Sequence, residues 1–130
     1  MKNGSEVVLD ASALLALMRA EAGAERVAAV IDHAVIGAVN LAEVTSKLVR
    51  EEIAIGVVRE WIDALELDVR PFDRELAYAA GALLPATRAR GLSLGDRACL
   101  ALARALEAAA LTTDRAWRGL DVGIAIEVIR

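Results

Sequence analysis

Apolar positions along the chain follow two periods that alternate. Short β-branched runs at Val7-Val8-Leu9, Val35-Ile36, residues 67–70, Leu111-Thr112-Thr113 and residues 124–129 read as strands. The longer stretches between them carry a helical period. Leu41, Val44, Thr45, Leu48 and Val49 make one i, i+3, i+4, i+7, i+8 stripe, and Val57, Val58, Trp61, Ile62 and Leu65 make another, with Gly56 expected at the turn between the two helices. Asp73 is placed to cap a helix running to about Arg90, with Pro85 as a kink and Gly91 as its stop. Ser93 opens a further helix that reaches about Glu107. The resulting order is β-α-α-β-α-α-β-α-α-β-(short helix)-β, which predicts an α/β fold with a mostly parallel sheet covered by helices on both faces.

Composition narrows the class without changing that picture. With 130 residues, 57% of them hydrophobic, the chain is expected to form one compact unit over residues 1–130 and is too apolar for disorder. The apolar share leaves some surface for a partner chain, although 28 alanines inflate it. The longest stretch without a charge, residues 76–87, is too short to span a membrane. Glu6 and Asp10 interrupt the place where a secretory leader's apolar region would run. A single cysteine, Cys99, excludes an internal disulfide and points to a reducing, cytoplasmic setting; it reads as packing, and the lone His33 as a surface or helix-end residue.

In a parallel sheet every strand's carboxyl end emerges on one edge, and ligands bind there where connections diverge. Four acids map to that edge. Asp10 follows the first strand, Glu43 is expected in the first helical turn after the second, Asp96 is in the first turn of the helix opened at Ser93, and Asp114 follows Leu111-Thr112-Thr113. Each has an ordinary structural use. Asp10 or Ser12 can cap a helix, Asn40-x-x-Glu43 and Ser93-x-x-Asp96 have the form of capping boxes, Asp114 can cap a short helix carrying Trp117, and Glu43 can pair with Lys47.

Together they ask for more, because like charges about 4 Å apart cost on the order of 4 kcal/mol at an effective dielectric near 20. A hard divalent cation, Mg²⁺ or Mn²⁺, relieves that cost through oxygen ligands and keeps positions open for phosphate. Such an ion activates water and neutralises phosphoryl charge, which suits phosphodiester hydrolysis. Arg97, Arg115 and Arg118 can then meet flanking phosphates or be solvated surface. Ser12, Thr112 and Thr113 can orient a ligand or cap turns locally.

The segments Val-Val-Leu-Asp10-Ala-Ser-Ala-Leu-Leu-Ala, Asn40-Leu-Ala-Glu43-Val, Leu92-Ser-Leu-Gly-Asp96-Arg-Ala-Cys-Leu-Ala and Leu111-Thr-Thr-Asp114-Arg-Ala-Trp117 closely resemble the PIN-domain ribonucleases, specifically the VapC toxins of type II toxin–antitoxin systems. The resemblance covers almost the whole chain, in order and spacing. It implies a five-stranded parallel sheet sandwiched by helices, a Mg²⁺- or Mn²⁺-dependent endoribonuclease, an RNA substrate, a cognate antitoxin and a homodimer. Asp10, Glu43, Asp96 and Asp114 match the family's metal-binding acids, and Ser12 matches a hydroxyl residue that supports the first of them. The pattern departs at Ala116, where some members carry a further acid; this bears on a second metal and not on the first. Leu14, Leu15, Leu17 and Met18, apolar on more than one side, are expected to support the dimer.

Two other readings compete. A catalytically weak PIN-like module that binds RNA or antitoxin is one. The other is a phosphotransfer protein of receiver or phosphohydrolase type, disfavoured because Ser12 stands where a second Asp is needed and both lysines, Lys2 and Lys47, are early.

Finally, setting the four acids aside leaves the other 15 acids balanced by 15 bases, so the net charge of −4 need not argue against a nucleic-acid partner.

Overall fold

A computed structural model describes residues 6–130 of the chain; Lys2, weighed above against a receiver-type reading, lies outside them. Strands β1 (Val7–Leu9), β2 (Ala34–Gly37), β3 (Asp68–Arg70), β4 (Ala109–Thr112) and β5 (Ile126–Val128) form one sheet in the order β3-β2-β1-β4-β5, parallel throughout. Among the described residues, seven α-helices accompany them: α1 (Ala11–Met18), α2 (Ala24–Val30), α3 (Ala38–Arg50), α4 (Ile55–Leu65), α5 (Arg74–Ala82), α6 (Leu84–Thr87) and α7 (Leu94–Leu106).

The central strands are buried on both faces, which is why their sequences run apolar without a polar alternate. Successive side chains point to opposite sides. Val7, Leu9, Ala34, Ile36 and Leu111 pack with α1 to α4, while Val8, Val35 and Ala110 pack with α5 and α7. Two cores therefore sandwich one sheet, as the three-layer expectation requires.

Register places Leu9, Ile36 and Leu111 side by side at the carboxyl edge. From β1 the chain moves outward through β2 and β3, then returns to β4 on the other side of β1. The divergence point thus lies between β1 and β4, where an α/β sheet opens a crevice.

Several sequence expectations shift. The break between α3 and α4 is not at Gly56, which sits inside α4; the turn is made by residues 51–54, with Glu52 at φ +68°. The helix expected over residues 73–90 is capped by Asp73 but ends at Ala82, and after Leu83 a new short helix takes Pro85 into its first turn, where a missing N–H costs nothing. β4 starts two residues earlier than expected and ends at Thr112, leaving Thr113 outside.

The apolar segment expected to support a dimer is taken up by the core in part, with Leu17 and Met18 only half-buried. Leu14 and Leu15 are buried, and Leu17 and Met18 pack against the first core. Cys99 is wholly buried in α7, and His33 is exposed in the 3-10 turn that ends at it. Among the described residues, no helix is long and apolar enough to cross a membrane.

A candidate metal centre at the carboxyl edge of the sheet

Asp10 leaves β1 in an extended conformation and caps α1, its Oδ1 accepting from the Ala13 N–H at 2.8 Å. The same oxygen accepts from Ser12 Oγ at 2.7 Å, and Oδ2 accepts from Thr112 Oγ1 at 2.5 Å. Thr112 is the last residue of β4, so this bond closes the edge between neighbouring strands. Ser12 Oγ also accepts from the Thr113 N–H at 3.0 Å, and Thr112 Oγ1 from the Asp114 N–H at 3.0 Å. Thr113 thus contributes through its backbone rather than its hydroxyl.

Asp10 is only 4% exposed. Burial pushes its carboxyl up to about 6, while the bonds from Thr112, Ser12 and Ala13 pull it down and the nearby Asp96 charge adds a smaller upward push. The donors orient an anion that the protein interior penalises. A cation bound beside it would offset that penalty.

Glu43 stands in the second turn of α3, whose N-cap is Gly37. Asn40 and Glu43 therefore do not form a capping box. Instead Asn40, 1% exposed, donates through Nδ2 to Glu43 Oε1 at 2.9 Å and to the Gly95 carbonyl at 3.0 Å. The Ser93–Asp96 capping box does form: Ser93 Oγ accepts from the Asp96 N–H at 3.1 Å, and Asp96 Oδ2 from the Ser93 N–H at 2.9 Å. Asp114 caps the 3-10 turn holding Trp117 and accepts from the Ala116 N–H at 2.9 Å.

All four acids line one cleft of about 260 Å³, together with Ser12, Ser93 and Lys47. The capping uses foreseen for Asp10, Asp96 and Asp114 thus coexist with a shared cleft, because each cap engages backbone on one side of a carboxylate. Sequence reading missed two residues here. The sequence pattern gives Asn40 only a capping use and Lys47 only a pairing with Glu43, although its place one turn after Glu43 puts it on the same side of α3.

The arginines fare differently. Arg97 Nη1 donates to the Ala80 carbonyl at 3.0 Å, tying α7 to α5, and Arg97 does not line the cleft. Adjacent helical residues diverge by about 100°, so following Asp96 in sequence does not bring Arg97 to the same ligand. Arg115 and Arg118 are exposed and also outside the cleft lining.

The donors fit a hard divalent ion by chemistry, being carboxylate oxygens only. Among the described residues, no three of them stand close enough to cage an ion by themselves. An ion placed there would have to keep several of its waters.

Residues 7–123 match the PIN domain family. No curated protein matched the sequence. Among solved structures, the chain is similar to DNA-bound VapBC from Salmonella typhimurium, at 19% identity and a TM-score of 0.69 over 95% of this chain and 97% of that one. It is similar to FitAcB from Neisseria gonorrhoeae, at 18% identity and a TM-score of 0.70 over 92% and 95%. VapBC-5 from Mycobacterium tuberculosis, a toxin–antitoxin system, shares 22% identity at a TM-score of 0.60 over 98% and 99%. At these identities the likeness is one of fold.

Proposed function

The chain belongs to the PIN domain family, and from that premise we propose that it is a Mg²⁺- or Mn²⁺-dependent endoribonuclease acting as the toxin of a toxin–antitoxin pair. The observation that carries this reading is the convergence of Asp10, Glu43, Asp96 and Asp114 on one cleft at the divergence point of the sheet. Two of the solved structures above, described as VapBC or as a toxin–antitoxin system, support the toxin assignment and the antitoxin partner.

In this mechanism the four acids would share the ion, in part through its waters, while Ser12 and Thr112 keep both Asp10 oxygens oriented. When bound, the ion supplies an acidified water and charge neutralisation at a phosphoryl oxygen. Lys47, the cation in the cleft lining, meets a substrate phosphate beside the acids. Fixing these groups before substrate arrives spares their reorganisation during reaction.

The partners of this reading are structured RNA, an antitoxin and a second copy of the chain. With Leu14 and Leu15 buried, part of the uncovered apolar surface lies at Val49 of α3 and Ile55, Val57 and Trp61 of α4. Presence of all four acids favours a catalyst over the binding-only module.

The test is cleavage of purified total RNA by the purified chain in Mg²⁺ or Mn²⁺. Discrete products that disappear in excess EDTA and return on adding the ion are expected. Equal cleavage in EDTA contradicts the reading.

A further inference from the structure

Asn40 and Gly95 come from helices on opposite sides of the sheet, yet both touch the Glu43 carboxylate. A primary amide nitrogen has two N–H donors, and Asn40 uses both, one on Glu43 Oε1 and one on the Gly95 carbonyl. That bond pair fixes which way the amide faces, since a flipped amide would set its oxygen against two acceptors. Its own Oδ1 is buried without a partner. A buried polar residue left half-satisfied is a poor choice for the core alone.

Gly95 is buried in the first turn of α7, and its φ lies outside the left-handed region, so its backbone does not require glycine. Space does. A Cβ placed there would fall 2.2 Å from Glu43 Oε2, 2.5 Å from Cδ and 2.7 Å from Oε1. The carboxylate occupies the volume that any side chain at this position would fill.

We propose that Asn40 is a positioning residue and that, with Gly95, it forms a two-part seat that fixes the Glu43 carboxylate against α7, one residue from Asp96. Asn40 holds the carboxylate by hydrogen bond, and Gly95 gives it room. The seat sets the spacing between the acid of α3 and the acid of α7, so it acts on cation affinity through Glu43. This rests on the metal-binding reading above.

The experiment is calorimetric titration of Mn²⁺ into the metal-free full chain, paired with thermal melting. Gly95→Ala displaces the carboxylate while adding a better helix former. It is expected to weaken Mn²⁺ binding at least about tenfold, in the range typical for residues that orient metal ligands, with no fall in Tm. Asn40→Ala is expected to weaken binding by a similar factor. In a Glu43→Ala background, adding Gly95→Ala is expected to weaken binding no further, because the group it acts through is gone. Unchanged affinity in Gly95→Ala overturns the seat, as does the same loss with and without Glu43. Absence of Mn²⁺ binding by the unmodified chain overturns the metal reading itself, and the seat with it.

Discussion

Asp10 carries the clearest conflict between stability and function at the level of a single side chain. Its carboxyl is raised from 3.8 to about 6 in the folded protein by burial. The folded state therefore binds the proton more tightly than the unfolded chain does. Stability from this group is complete below about pH 4 and is lost as pH rises through 6. A shift of this size corresponds to roughly 3 kcal/mol. Asn at position 10 keeps the cap on α1 without the charge. Urea denaturation is thus expected to show Asp10→Asn gaining on the unmodified metal-free chain by up to about 3 kcal/mol between pH 4 and pH 7, and no further gain above that. A gap that stays constant with pH contradicts the account of the site. The acid itself was legible in the sequence from its place at a strand end. Its near-complete burial was not, because that depends on β4 delivering Thr112 beside it. Arg97 shows the opposite outcome: adjacency to Asp96 leaves a phosphate contact or solvated surface open, and helix geometry sends it to the Ala80 carbonyl instead.

Among the elements, α7 does the most to build the cleft. It packs Cys99, Leu100 and Ala103 into the second core while its first turn presents Asp96. Burial, reinforced by the charges of Asp10, Asp96 and Glu43, pushes the Cys99 thiol well above its usual range, so it stays a neutral packing group. The capping box at Ser93 was readable because its spacing is local and both partners are side chains with a known use. Ser93→Ala is expected to destabilise the fold by about 1 kcal/mol, read as a lower urea midpoint at unchanged slope. The start of α3 was not readable in the same way. Gly37 caps it with no side-chain hydrogen bond, so the sequence puts the first turn at Asn40 and Glu43, later than it is. Ala54 likewise leaves the start of α4 without a polar signal, and Gly56 drew the boundary two residues late. Helix existence followed from period; helix ends without a capping side chain did not.

For the molecule as a whole, strand order decides where chemistry sits. Parallel pairing and the return across β1 bring acids separated by up to about a hundred residues to one edge, and alternation of strands and helices announced that edge before any contact was known. The four acids gathered in one cleft repel one another, so a cation bound among them bears directly on folding. Because an ion bound only by the folded state stabilises it by mass action, Mg²⁺ at a hundredfold excess over its Kd is expected to add about 2.7 kcal/mol. The rise in Tm should exceed that in NaCl of matched ionic strength, and Asp10→Asn should lose most of the excess. Identical melting of both proteins in Mg²⁺ and in matched NaCl contradicts the cation site.

The central claim is that four carboxylates at this edge direct cleavage of RNA. The most direct measurement is sequencing of RNA 5′ ends from cells in which the chain is briefly expressed, with Asp10→Asn expressed to the same level as control. The account predicts new ends concentrated at one or a few sites with the unmodified chain and none of them with Asp10→Asn. Indistinguishable end profiles for the two, or the same new ends with both, would contradict it.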